Sequence, residues 1–134
     1  MSTKFPFDQL PEFLQESLNK INISEPTDIQ QKMIPEALEG QSIIARSQTG
    51  TGKTLAYLLP ILTRVDASEK NLQAVVLAPT QELAMQILEV AKQLSANQPL
   101  EIAAFIGGAN INRQAWTSLR SKSHILQSAH LGAY

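Results

Sequence analysis

Eight consecutive residues, Ser47-Gln48-Thr49-Gly50-Thr51-Gly52-Lys53-Thr54, carry the densest chemistry in this chain. Two glycines allow backbone turns where a side chain would collide with a bound anion. The loop's N–H groups, with the positive end of a following helix, form a cradle for phosphate. In that cradle Lys53 would reach the β- and γ-phosphates of a nucleotide, and the Thr54 hydroxyl would bind Mg2+. The strict P-loop pattern has Gly at the first position, where this chain has Ser47. The plain alternative is a Gly/Thr-rich surface turn that happens to precede a helix.

A P-loop needs a strand before it and a helix after it. Ile43-Ile44-Ala45 is the candidate strand, near 42–46, and Leu55-Ala56-Tyr57-Leu58-Leu59 opens a helix running from Lys53 to about Arg64, with Pro60 inside it as a kink. Upstream, Leu10, Leu14, Leu18 and Ile21 fall on one helical face. Thr27 or Asp28 is placed to cap a second helix through about Leu38, bent or shortened by Pro35 and stopped by Gly40.

Downstream, Ala74-Val75-Val76-Leu77-Ala78 is a continuous apolar run, the pattern of a parallel strand buried on both faces. Leu83, Ile87, Val90 and Leu94 make a helical stripe, and 100–106 reads as a strand ended by Gly107-Gly108. Asn110 or Asn112 would cap a helix to about Leu119, and His124-Ile125-Leu126 begins a further strand. Strands alternating with helices predict an α/β fold: a three-layer parallel sheet joined by right-handed crossovers.

The bulk numbers exclude more than they assign. One domain at most is expected of 134 residues, and a 43% hydrophobic fraction suffices for a core. A formal net charge of -1 gives no electrostatic sign of nucleic acid, so any such contact must be local. The absence of cysteine excludes disulfides and thiol metal sites and agrees with a reducing compartment. Met1-Ser2-Thr3-Lys4-Phe5-Pro6 has neither the apolar run of a signal peptide nor that of a membrane anchor, so a cytoplasmic protein without membrane contact is expected. His124 and His130 are too isolated for a metal site, and Trp116 reads as core.

The P-loop alone leaves kinases, GTPases, transport ATPases and helicases open. Further segments resemble the DEAD-box RNA helicases. Phe5 followed by Pro26-Thr27-Asp28-Ile29-Gln30 resembles that family's Q motif, Ala45 to Thr54 its motif I, and Ala78-Pro79-Thr80-Gln81-Glu82-Leu83-Ala84 its motif Ia; Gly107-Gly108 matches its GG element. The resemblance covers roughly residues 5 to 126 and implies an incomplete RecA-like P-loop NTPase domain.

The resemblance also implies roles. Gln30 would read the adenine edge and Phe5 would pack on the base, which selects ATP over GTP. The plain alternatives are an amide capping a turn for Gln30 and a core aromatic for Phe5. Ser47, Gln48, Thr49, Gly50, Thr51, Gly52, Lys53 and Thr54 would bind ATP, with Lys53 and Thr54 the catalytic pair. Pro79, Thr80, Gln81, Gly107 and Gly108 would meet an RNA backbone. Thr80 is equally a helix N-cap and Gly107-Gly108 equally a plain turn. Gln81 stands where the family usually has Arg, which should weaken RNA contact and its salt dependence. Asn22 and Ile23 stand where Gly and an aromatic are usual, and Asn tolerates the left-handed backbone.

No Asp-Glu-Ala-Asp or Ser-Ala-Thr occurs in the 134 residues. Residues 127–134 depart from the Thr-Pro-Gly-Arg loop of the family and read as a tail outside it, leaving 1–126 as the partial domain. The expectation is the N-terminal part of a first helicase domain that grips nucleotide weakly without hydrolysing it; the alternatives are an inactive degenerate fragment, or another P-loop ATPase or kinase. The strand at 43–44 would lack its neighbours, with marginal stability or aggregation as the consequence.

Overall fold

The computed structural model describes residues 4–48, 52–106 and 125–129. They fall into two compact units, 1–64 and 65–134.

The first unit is helical. A 3-10 turn, Phe7–Gln9, precedes α1 (Glu12–Lys20), α2 (Asp28–Leu38) and α3 (Lys53–Arg64). Of the expected stripe Leu10, Leu14 and Leu18 are buried, with Leu10 just before α1, while Ile21, just after it, is half-buried; Phe7 joins the buried set. α1 stops at Asn22, whose φ of 59° is left-handed. Ile23 N–H bonds Leu18 C=O at 2.9 Å and Asn22 N–H bonds Asn19 C=O at 3.1 Å, which satisfies the last carbonyls of the helix. The same closure ends α2. Gly40 has φ 84°, with Gln41 N–H on Glu36 C=O at 3.1 Å and Gly40 N–H on Ala37 C=O at 3.0 Å. A Cβ added at Gly40 would lie 3.1 Å from Arg64 Nη1, so the guanidinium at the end of α3 rests against the end of α2. Pro35 and Pro60 stay inside their helices, and α2 still reaches Leu38. α2 packs along α3, burying Ile34, Leu55, Ala56, Leu58, Leu59 and Leu62.

Among the described residues the second unit is a parallel sheet with one helix against it. β1 (Ala74–Ala78), α4 (Gln81–Leu94), β2 (Ile102–Ile106) and β3 (Ile125–Ala129) follow in chain order, and the strands lie side by side as β1-β3-β2. β3 pairs in parallel with both neighbours, Ala74 and Ile102 standing opposite Ile125. β3 continues through Gln127, Ser128 and Ala129, past residue 126. α4 packs on all three strands. Of the expected stripe Ile87 and Leu94 are buried and Leu83 and Val90 half-buried, and Ala84, Leu88 and Ala91 complete the buried face. The alanines are small and let the helix lie close to the sheet.

Two sequence expectations are corrected. Residues 41–48 form no strand, although 42–46 has a strand's pattern. A strand exists only with a hydrogen-bonding neighbour, and no described segment supplies one. β1, expected to be buried on both faces, is covered on one. Val76 and Ala78 are buried, whereas Val75 and Leu77 are 51% and 73% exposed. An all-apolar strand suits two covered faces. The uncovered face forgoes on the order of 1.5–3 kcal/mol for each large apolar side chain left in water. Gly107, Gly108, Trp116, His124, His130 and the helix expected at 110–119 lie outside the described residues.

Candidate functional site

The site in the first unit is built where the start of α2 meets the end of the glycine loop. Thr27 is the N-cap of α2 and Gln30 its third residue, a Thr-x-x-Gln capping box. Thr27 N–H donates to Gln30 Oε1 at 2.9 Å. The Thr27 hydroxyl approaches the Gln30 backbone to complete the box, but it is buried and stops short of a full hydrogen bond. The other end of the Gln30 amide donates to Gly52 C=O at 3.1 Å. Gln30 is only 1% exposed, so both amide ends are committed inside the fold.

Gly52 answers that packing. Its φ is 84°, a left-handed conformation that L side chains adopt at a cost. A Cβ there would stand 2.4 Å from Gln30 Nε2 and 3.1 Å from Thr27 Oγ1. Glycine is therefore required twice, by backbone and by space. Lys53 follows as the first residue of α3 and is exposed. Its ammonium donates to Ser47 C=O at 2.8 Å, closing the loop end to end. Thr54 hydrogen-bonds the Tyr57 phenol one turn along α3; burial nevertheless pushes the Tyr57 pKa above its usual 10.0, the hydrogen bond acting weakly the other way. Thr49, Gly50 and Thr51, the middle of the loop, lie outside the described residues.

A groove of about 400 Å³, lined by Thr27, Asp28, Ile29, Ser47 and Gln48, runs between the start of α2 and the start of the loop. Phe5 is 54% exposed, in contrast to the fully buried Phe7, so Phe5 is not a core aromatic. Lys4 and Glu25 pair beside it, and the lysine's hydrogen bond and charge hold the Glu25 carboxyl below its usual range. The donors fit a nucleotide's phosphates in kind: a lysine, a threonine hydroxyl and a helix start with no acidic side chain in its first turn.

In the second unit, Thr80 is the N-cap of α4, its hydroxyl accepting from Leu83 N–H at 3.1 Å, with Pro79 before it and exposed Gln81 as the first helical residue. The cap expected there is formed. The described residues contain no cluster of His, Cys, Asp and Glu able to hold a metal ion, and no helix long and apolar enough to cross a membrane.

Sequence reasoning placed Thr27, Asp28 and Ile29 in the segment around Gln30 without giving them a part in this site, and it gave Tyr57 none. The Thr27-x-x-Gln30 spacing is a readable capping-box signature and would have tied Thr27 to Gln30. Nothing in the sequence places Thr27 under Gly52.

With this geometry in hand, comparison with known proteins is direct. The DEAD/DEAH box helicase family model matches residues 27–130. The chain is 52% identical over 102 residues to the DEAD-box ATP-dependent RNA helicase CshC of Bacillus cereus, covering 76% of this chain and 26% of that protein. It is 41% identical over 127 residues to the probable ATP-dependent RNA helicase YfmL of Bacillus subtilis, covering 94% of this chain and 34% of the relative. Among solved structures, a DEAD box protein from the hyperthermophile Methanococcus jannaschii superposes with a TM-score of 0.84 at 29% identity, over 96% of this chain and 35% of that one. The RNA-helicase Prp28 from Chaetomium thermophilum bound to ADP gives a TM-score of 0.78 at 31% identity, over 96% and 32%. The fold is that of their RecA-like domains, incomplete in strands. The chain spans about a quarter to a third of the length of these relatives.

Proposed function

Because this chain belongs to the DEAD/DEAH box helicase family, we propose that it is the nucleotide-gripping part of the first RecA-like domain of an ATP-dependent RNA helicase. The observation that carries the reading is the Gln30 amide, which joins the N-terminus of α2 to Gly52 of the loop at 3.1 Å. A glutamine buried for capping alone has no need to reach a glycine loop 22 residues away.

In this reading the loop residues 47–54 receive the phosphates of ATP, and Lys53 exchanges the Ser47 carbonyl for a phosphate oxygen, a stronger charge-assisted partner. Thr54 is the ligand for Mg2+, and Phe5 offers its exposed ring to the base. Gln30 retains one amide hydrogen and one oxygen lone pair, the complement of the adenine N6/N7 edge, and at 1% exposure it has to be uncovered before a base can meet them. Pro79, Thr80, Gln81, Gly107 and Gly108 form part of an RNA backbone contact, weakened by the neutral Gln81. The setting is cytoplasmic, away from membranes.

The 134 residues grip without turning over. Hydrolysis requires a carboxylate to hold the metal and another to orient the attacking water. The Asp-Glu-Ala-Asp tetrad that supplies both is not among these residues. Titration calorimetry on the purified chain should show ATP bound in preference to GTP and the binding lost in Lys53→Ala. A preference for GTP removes the role of Gln30. RNA-stimulated phosphate release that disappears in Lys53→Ala overturns the absence of turnover.

A further inference from the structure

We propose that the ion pair between Lys4 and Glu25 is a positioning pair for nucleotide binding, holding the segment that carries the exposed Phe5 ring against the entry to α2. The proposal rests on the reading above that Phe5 meets the base. The two partners stand 21 residues apart in sequence and on unlike supports. Glu25 is on a firm post. It directly precedes Pro26, whose φ is fixed by its ring, and the Pro26 carbonyl accepts from Gln31 Nε2 at 3.3 Å. Thr27, the N-cap of α2, follows and donates its N–H to Gln30 Oε1 at 2.9 Å. Lys4 is on the looser side. The chain is secured in the core at Phe7, which is fully buried, and Phe7 N–H donates to Lys4 C=O at 2.8 Å.

Phe5 lies between that anchor and the pair, with 54% of its surface in water. A ring so exposed gains little from burial that would hold it in one place, so its position follows its neighbours. The lysine's hydrogen bond and charge keep the Glu25 carboxyl below its usual range, so Glu25 is ionised at neutral pH. A group already held in its bound place costs less to order when the ligand arrives. Both partners are exposed, so water and salt limit the gain to about two- to fivefold in affinity. Glu25 supplies a decisive sign. ATP is an anion, and a Glu25 acting only through its charge would oppose binding, so removing that charge would tighten it. As half of a clip, Glu25 aids binding, and removing its charge loosens it.

Titration calorimetry with ATP, and amide hydrogen exchange without it, test this on the purified chain. Glu25→Gln and Lys4→Ala should each weaken ATP binding about two- to fivefold. Each should also speed exchange of the Phe7 amide by a similar factor, a local opening that leaves the urea midpoint unchanged. Lys4→Glu combined with Glu25→Lys keeps the net charge, remakes the pair and should restore both readouts. In a Phe5→Ala background Glu25→Gln should cost nothing further. The proposal is overturned if Glu25→Gln binds ATP as well as wild type or better, if the Phe7 amide exchanges as in wild type, if the swapped pair fails to restore the two readouts, or if the loss persists without Phe5. A chain that binds no ATP, or a Phe5→Ala variant that binds it as wild type does, overturns the reading of Phe5 itself and this proposal with it; neither outcome involves a change at Lys4 or Glu25, so the two failures are told apart.

Discussion

Replacing Gly52 by alanine tests the join between the capping box and the loop. The new methyl carbon would stand 2.4 Å from Gln30 Nε2, far inside contact distance, so one of the two must move. Gln30 cannot swing outward at no cost, because it is 1% exposed and its oxygen accepts from Thr27 N–H. Holding a residue with a Cβ at φ 84° costs about 1–2 kcal/mol. Displacing the amide from Gly52 C=O leaves a buried donor unpaired, about 1–3 kcal/mol more. The expected loss is about 2–5 kcal/mol, of which the steric and hydrogen-bond share belongs to Gln30. Urea unfolding followed by dichroism measures the total as a fall in midpoint at constant slope. A double-mutant cycle with Gln30→Ala separates the two shares. Once the amide is gone the methyl has room, so Gly52→Ala should cost at least about 1 kcal/mol less in the Gln30→Ala background than in the wild type. A Gly52→Ala variant within about 0.5 kcal/mol of wild type refutes the packing described here; so does an equal cost in both backgrounds.

The two aromatics near the N-terminus should separate. Phe7→Ala, at a fully buried site, should lower stability by about 3–5 kcal/mol in urea, whereas Phe5→Ala, at an exposed one, should leave the midpoint unchanged and weaken ATP binding in calorimetry. Burial raises the Tyr57 pKa above 10.0, so the folded state holds that proton more tightly than the unfolded chain. Its contribution to stability is therefore complete below pH 10.0 and is lost as pH rises through the folded-state value. Alkaline titration of the tyrosinate absorbance, compared between wild type and Tyr57→Phe, should show Tyr57 ionising above pH 10.0, and Tyr57→Phe should flatten the alkaline limb of the stability curve; a Tyr57 that ionises below 10.0 would contradict its burial.

What could be read from the residues was what local chemistry determines. The helix ends were legible because their signals are short-range: Asn22 and Gly40 adopt the left-handed turns their types permit, and Thr80 caps α4. Lys53 was expected to open a helix and does open α3, and Gln30, singled out through the family resemblance, lies against Gly52 of the loop. The strand at 42–46 was misread because strand formation depends on a neighbour, and composition reports only the willingness to pair. The uncovered face of β1 was hidden for the same reason: a continuous apolar run says that two faces can be buried, not that they are. On α4, counting large side chains found the buried Ile87 and Leu94 but also picked the half-buried Leu83 and Val90, while Ala84 and Ala91 fill the buried face. The meeting of Thr27 with Gly52 is tertiary, and no spacing encodes it.

The contacts at Gly52 and Gly40 together fix a direction. α2 and α3 meet start to start at Gln30 and Gly52, and finish to finish at Gly40 and Arg64. The two helices therefore point the same way, and the chain between them has to travel back along the full length of α2, about 16 Å at 1.5 Å per residue for its 11 residues. Residues 41–48 make part of that return journey outside any helix or strand. Co-directed helices also bring like poles together, roughly half a positive charge from each. Their mutual repulsion is a standing cost to the folded chain, and a negatively charged guest settling between the two starts would relieve it.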